Sequence, residues 1–180
     1  SATDNGGPAP GRLAVGTWSG GHFMNFGVRI AEDRLGAVLR PGDGITTVLS
    51  ADTYGQGEAE RMLGRALVGV DRGAYSLVGA VGHDFYEGER VGPKGFPRFT
   101  DPRLRGPDEY GDYLRMATER SLERLGQDSF DVLLLHNPDH TGYSSEAVRD
   151  GMAALRQDGL ASSIGDAPGP ANGFTLAQLD

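Results

Sequence analysis

The chain has 180 residues, a formal net charge of −8 and a sequence pI near 4.9. An acidic chain repels phosphate backbones, so nucleic acid is not expected as a partner. It contains no cysteine, which excludes disulfides, thiolate metal sites and a cysteine nucleophile. With no apolar run of about 18 residues and no apolar centre near its start, the sequence predicts a soluble, cytoplasmic protein without a membrane span.

The beginning of the chain differs in composition from the rest. Residues 1–11 are small, polar and rich in Gly and Pro. Such segments bury too little apolar surface to order themselves. We therefore expect a flexible N-terminal tail over residues 1–12 and one partial domain over 13–180.

Short apolar runs then alternate with segments of helical periodicity. The apolar runs predict strands over 13–18, 45–49, 75–81, 130–135 and 161–165. Spacings of three and four residues predict helices over 31–39, 57–70, 109–125 and 145–157, and the start of another over 174–180. This alternation is typical of an α/β fold with a parallel sheet.

One long segment interrupts this pattern, over residues 84–107. It contains four prolines and four aromatic residues, Phe85, Tyr86, Phe96 and Phe99. A loop this long inside a compact domain is usually functional or disordered. The aromatic residues favour packing, and hence a lid or rim loop.

Four segments resemble one protein family. Residues 44–64, which contain Tyr54 followed by Gly-x-Gly-Glu, resemble the second βα unit of the aldo-keto reductase superfamily. Residues 130–138 resemble its fourth strand, residues 152–165 its fourth helix and fifth strand, and residues 16–18 the end of its first strand. The resemblance implies a (β/α)8 TIM barrel, of which about the first five βα units are present here. The site of this fold lies at the C-terminal ends of the strands.

The resemblance also implies a reaction, hydride transfer from NADPH to a carbonyl, and four catalytic positions. Tyr54 matches the proton donor and His136 the histidine that orients the substrate. Leu49 and Ala80 stand where the family has an Asp and a Lys that lower the pKa of the tyrosine. A shift of the third-strand match by one residue would place Val81 at the lysine position, and neither choice offers a lysine. The segment 165–168, Gly-Asp-Ala-Pro, replaces the family's Gly-x-Ser-Asn, whose side chains hold the nicotinamide amide. Residues that bind the cofactor are not assigned.

These replacements decide what the resemblance implies for activity. A free tyrosine has a pKa of about 10, and without a neighbouring cation no charge lowers it. We therefore expect a nominally NADP(H)-linked carbonyl oxidoreductase with doubtful redox activity, acting on a small-molecule substrate. The alternatives are a non-redox acid/base enzyme (a cyclase, dehydratase or isomerase) that uses Tyr54 and His136, or a non-catalytic ligand-binding module.

Further residues are expected at the pocket. Trp18, His83 and Asn137 are predicted to line it; His83 is either a rim residue or, if protonated, a substitute for the lost cation. Asp52 is interpreted as a turn residue rather than a pocket carboxylate. The sequence contains no HExxH motif, and a metal is not expected.

Five strands cannot close a barrel. The first and fifth strands would expose unpaired N–H and C=O groups. The remaining half-barrel is therefore expected either from the same, longer chain or from another chain.

Overall fold

The computed structural model describes residues 6–18, 30–42, 44–92 and 95–169. Within these ranges, five strands form one parallel sheet whose order follows the chain. They are β1 (Ala14–Gly16), β2 (Thr47–Leu49), β3 (Ser76–Val81), β4 (Phe130–His136) and β5 (Ala161–Ala167). The predicted partial (β/α)8 architecture is confirmed.

Helices connect the strands. They are α1 (Glu32–Leu39), α2 (Glu58–Leu67), α3 (Tyr110–Leu125), α4 (His140–Ser144) and α5 (Glu146–Gln157). The buried side of α2 carries Ala59, Met62, Leu63 and Leu67, the spacing that predicts an amphipathic helix. Gly126, with φ of 65°, ends α3 in the left-handed conformation that glycine adopts most readily.

The two faces of the sheet have different roles. Outward-facing strand residues pack with the helices in the hydrophobic core; among them are Val48, Leu77, Val81, Leu133 and Leu135. The alternate positions form the opposite face, here called the inner face. Strand register aligns Leu49, Val78 and Val132 across this face, and Ala80, Leu134 and Gly165 in the next layer toward the C-terminal ends. The inner face is therefore apolar where the sheet supports the candidate site.

The sequence located these elements to within a few residues. Helix α4 was not predicted, because five residues are too few to show a helical period. It begins where the Asp139 carboxylate accepts a hydrogen bond from the Gly142 N–H at 2.8 Å. Two 3-10 turns, Arg72–Ala74 and Pro107–Glu109, were also not predicted. The helix predicted over 174–180 lies outside the described residues.

The described parts of the 84–107 loop pack against the end of the sheet. Arg105 forms a buried ion pair with Asp84 at 2.5 Å and donates a second hydrogen bond to the Phe99 carbonyl. An isolated antiparallel bridge joins His83 to Arg98 and returns the loop to the end of β3. The loop therefore borders the C-terminal edge of the sheet.

Part of the predicted tail also contacts the sheet. The Gly7 N–H donates to Asp131 Oδ1, and the Gly11 N–H donates to Thr47 Oγ1, each at 2.7 Å. The flexibility of residues 1–12 stays a prediction, with these two contacts as anchoring points.

Across the ranges given above, every helix is too short or too polar to cross a membrane.

Candidate active site

The candidate site lies at the C-terminal edge of the sheet. Trp18 follows β1, Tyr54 lies in the turn after β2, His83 follows β3, and His136 ends β4, with Asn137 next to it. Because parallel strands place their C-terminal ends at one edge, residues distant in sequence meet there.

Aromatic contacts link these residues. Trp18 stacks on Tyr54, with ring centroids 5.4 Å apart. The rings of Tyr54 and His136 meet edge to face at 5.5 Å, and those of His136 and His83 lie 4.7 Å apart. Asn137 Nδ2 lies 3.5 Å from His83 Nε2. The structure thus brings together all five residues that were predicted for the site; their roles remain predictions.

The turn that carries Tyr54 is held by backbone hydrogen bonds. The Tyr54 N–H donates to the Ala51 carbonyl, and the Tyr54 carbonyl accepts from Ala59 at the start of α2. The Asp52 N–H donates to the Ala80 carbonyl, which ties the turn to β3. Tyr54 is therefore positioned by the sheet itself.

The surroundings of Tyr54 do not favour its ionisation. Burial raises its pKa above the ordinary value of 10.0. The inner face near it carries Leu49 and Ala80, which are apolar. The one lysine of the sequence, Lys94, lies outside the described residues. Tyr54 can donate a hydrogen bond, but nothing described around it helps it to release a proton.

The two histidines of the site are neutral at pH 7. Burial, and then the charge of Arg98, lower the pKa of His83 to about 3 and that of His136 to about 4. These surroundings disfavour the alternative in which protonated His83 replaces the lost cation. His136 Nδ1 is buried and has no hydrogen-bond partner among the described residues. Its Nε2 is the ring nitrogen left to meet a ligand.

Arg98 belongs to this cluster, although sequence reasoning did not single it out. Its Nε donates to the Asn137 carbonyl at 2.5 Å, and its Nη1 donates to His83 Nδ1 at 3.1 Å. Asn137 itself has a positive φ of 47°. The only sequence signal was an arginine between Pro97 and Phe99 in the long loop, and nothing in that pattern indicates where the side chain reaches.

Asp52 faces away from this pocket. Its backbone is in the turn, as expected, but its side chain is fully buried and neither carboxylate oxygen has a hydrogen-bond partner in the described residues. Burial, followed by the negative charge of Glu60, raises its pKa well above the ordinary range. Asp52 is a buried acid below the site, not a pocket carboxylate.

The end of β5 completes the described part of the site. Ala167 aligns with His136, and Gly165 with Leu134. Between them, partial loss of contact with solvent raises the pKa of the Asp166 carboxyl group. Among residues 6–18, 30–42, 44–92 and 95–169, no group of three or more His, Asp or Glu side chains could hold a metal ion.

Comparisons with known proteins point to one family. A family model described as the aldo/keto reductase family matches residues 12–167. An aldo-keto reductase of Mycolicibacterium smegmatis is 34% identical over 116 residues, which are 60% of this chain and 39% of that protein. A 6-dehydroglucose reductase of Agrobacterium fabrum is 28% identical over 156 residues, covering 86% of this chain and 48% of that protein.

Solved structures agree in fold. The holo form of an aldo-keto reductase from Bacillus halodurans superposes with a TM-score of 0.65 at 25% identity, over 86% of this chain and 45% of that one. An aldo/keto reductase from Klebsiella pneumoniae, in complex with NADP and acetate, has a TM-score of 0.58 at 23% identity, over 96% and 49% of the two chains. The chain spans less than half the length of each of these relatives.

Proposed function

The chain belongs to the aldo/keto reductase family, and we propose from this that it binds the carbonyl group of a small molecule as part of an NADP(H)-linked oxidoreductase whose redox activity is weak. The observation that carries the proposal is the contact between Tyr54 and His136 at the C-terminal edge of the sheet. The names of its relatives, a 6-dehydroglucose reductase and a structure in complex with NADP, support the reaction class.

The chain's own residues would act on the carbonyl oxygen. The Tyr54 hydroxyl donates a hydrogen bond to it, and His136, neutral at pH 7, presents Nε2 beside it. Trp18 stacks on Tyr54 and forms a wall of the pocket. These contacts bind and polarise a carbonyl group. Transfer of the Tyr54 proton is slow, because each pKa unit that a cation would have removed is worth about 1.4 kcal/mol, or tenfold in rate if the rate follows it fully.

The cofactor's nicotinamide finds a poor fit at the end of β5. A bound nicotinamide cofactor supplies a hydride, and the family resemblance implies polar side chains there to hold its amide. In this chain Ala167 and Pro168 stand at the positions of those polar residues, and neither side chain has a polar atom. The described residues therefore do not form the expected amide site.

A non-redox role is the second candidate, and the apolar inner face favours it. Leu49 and Ala80 stand where charged helpers of Tyr54 are expected from the resemblance. Without them, Tyr54 and His136 can bind a carbonyl ligand, or act as acid and base in a cyclisation, dehydration or isomerisation.

The remaining strands of the barrel form part of the proposal. β1 and β5 each pair with a single neighbour within the described sheet. We assign the remaining half-barrel to the same longer chain or to another chain, and the protein to the cytoplasm.

NADPH binding and carbonyl reduction test these candidates together. In a titration followed by cofactor fluorescence we expect weak binding, with slow aldehyde reduction that stays constant from pH 7 to 9 because Tyr54 remains protonated. Tyr54→Phe should reduce the rate by roughly a hundredfold, the loss typical of a removed general acid. The matched control is Tyr75→Phe. Tyr75 lies just before β3, at the N-terminal edge of the sheet, where its hydroxyl donates a hydrogen bond to Gln127.

Two results would change the assignment. Lack of NADPH binding at high micromolar concentration removes the redox function and leaves the non-redox candidate. A Tyr54→Phe variant as active as the wild type shows that Tyr54 is not the proton donor.

A further inference from the structure

We propose that Arg98 forms an anion subsite beside Tyr54 and His136, and that the protein prefers carbonyl compounds that carry a carboxylate. This inference rests on the proposed carbonyl pocket and names its substrate class. It is carried by the placement of Arg98 and by the absence of an ion-pair partner for it among the described residues.

The guanidinium of Arg98 is held in one position. Its Nε donates to the Asn137 carbonyl and its Nη1 to His83 Nδ1. The bridge between His83 and Arg98 fixes the backbone at the same point. These contacts use two nitrogen atoms, and Nη2 has no hydrogen bond to a described residue. A guanidinium held in this way is preorganised to receive a carboxylate.

Arg98 differs from the other partly buried arginines in that it has no ion-pair partner among the described residues. Five described arginines are not fully exposed, and four of them pair with a carboxylate: Arg72 with Asp131, Arg105 with Asp84, Arg115 with Asp158 and Arg124 with Glu60. Arg98 has no carboxylate within 4.0 Å in the described ranges. Asp139 acts on Arg98 electrostatically but forms no ion pair with it, and its Oδ1 accepts hydrogen bonds from Thr100 and Gly142.

The immediate neighbours of Arg98 carry no negative charge. His83 accepts its hydrogen bond through Nδ1, and both histidines are neutral at pH 7. A partly buried cation without a counter-ion is costly, and an anionic ligand group would remove that cost. An anionic group of a ligand is therefore the partner that the surroundings of Arg98 favour.

The same contacts connect Arg98 to the carbonyl-binding groups. Arg98 contacts His83, the ring of His83 lies 4.7 Å from that of His136, and His136 meets Tyr54 at 5.5 Å. Arg98, His83, His136 and Tyr54 therefore form one continuous cluster. The proposed ligand would place its carboxylate at the guanidinium and its carbonyl group at Tyr54. Short oxo acids are the chemical class that meets both requirements.

Trp18 provides a direct measurement of binding. It is the only tryptophan of the chain and stacks on Tyr54, so its fluorescence reports on ligands at this position. The probes are levulinate, a short oxo acid, and its uncharged methyl ester. We expect levulinate to bind roughly tenfold more tightly than the ester, since a hydrogen bond between two charged groups is stronger than one to a neutral group. Added salt should weaken the binding of levulinate and not that of the ester.

Variants of Arg98 decide whether it is responsible. Arg98→Met should abolish the preference for levulinate while the ester still binds, and Arg98→Lys should retain part of it. Arg90→Met, in an exposed position of the same loop, is the control and should behave as the wild type. If Arg98→Met does not fold, Arg98→Lys decides alone, because a preference unchanged by the loss of the planar guanidinium overturns the proposal.

The remaining outcomes separate this inference from the proposed function. Equal affinity for levulinate and ester in the wild type, or a preference that persists in Arg98→Met, overturns the anion subsite and leaves the carbonyl pocket intact. Binding of neither probe overturns the carbonyl pocket, and the anion subsite with it.

Discussion

Asp52 and Tyr54 lie in the same turn, and burial raises the pKa of both, with different consequences. Tyr54 is protonated at neutral pH in both the unfolded chain and the fold, so its raised pKa costs no stability and only makes it a weaker acid. Asp52 would be ionised in water, so its burial favours the protonated form and costs stability whenever the unfolded chain is ionised. One turn thus holds a group that affects chemistry and another that affects folding.

Asp52→Asn should stabilise the protein at neutral pH. Below the unfolded-state pKa of about 3.9, Asp52 keeps its proton in both states and imposes no penalty. As pH rises above that value, the unfolded chain ionises first, and stability is lost until the raised folded-state pKa is reached. We expect the variant to gain about 1–3 kcal/mol at pH 7.5, since each pH unit between the two pKa values is worth about 1.4 kcal/mol.

Thermal unfolding at pH 4 and pH 7.5 measures this effect. The gain in Tm should be present at pH 7.5 and nearly absent at pH 4, and the exposed control Asp150→Asn should show neither. A lower Tm for Asp52→Asn at pH 7.5 would mean that the carboxylate is ionised and paired in the folded state.

At the scale of elements, the sequence predicted where strands and helices lie along the chain better than which side chains contact one another. Apolar runs and helical spacings located all five strands and the four longer helices, because burial of one helix side leaves a periodic trace in the sequence. No periodic pattern in the sequence indicates the ion pair of Arg105 with Asp84 or the hydrogen bond from Arg98 to His83. Each joins residues more than ten positions apart through a loop with no period. Tyr54 and His136 were found only through their resemblance to a family.

The packing of α2 on α3 depends on a glycine. A Cβ at Gly64 would lie 2.9 Å from the carbonyl oxygens of Arg124 and Leu125 at the end of α3. Backbone atoms cannot move aside as a flexible side chain can, so Gly64→Ala should destabilise the protein by roughly 1–3 kcal/mol. Gly36 in α1 is the matched control, because a Cβ there meets nothing within 4 Å.

Chemical denaturation of the two variants gives opposite expectations. Gly36→Ala should raise the free energy of unfolding by about 0.5–1 kcal/mol through helix propensity alone. If Gly64→Ala raised it as well, the two helices would be packed less closely than the structure has them.

At the scale of the whole molecule, the sheet has a stable centre and weaker margins. β3 and β4 lie between two neighbours each, and all six residues of β3 are buried. β4 pairs with β5 at six positions, whereas β1 pairs with β2 at only three. The candidate site spans both regions, since His83 follows β3, His136 ends β4 and Trp18 follows β1.

Hydrogen exchange should therefore be graded across the 180-residue chain. Backbone amides of β3 and β4 should exchange slowest, because they open only when the central sheet and its helices unfold, and those of β1 should exchange fastest among the strands. Mass spectrometry of peptides from each strand, at several protein concentrations, measures this order. Protection of β1 equal to that of β3 would contradict the arrangement in which β1 is an unpaired edge of the five-stranded sheet. If that protection also rose with protein concentration, a second copy of the chain would be covering the edge of β1, because an edge strand offers unpaired backbone groups to another chain.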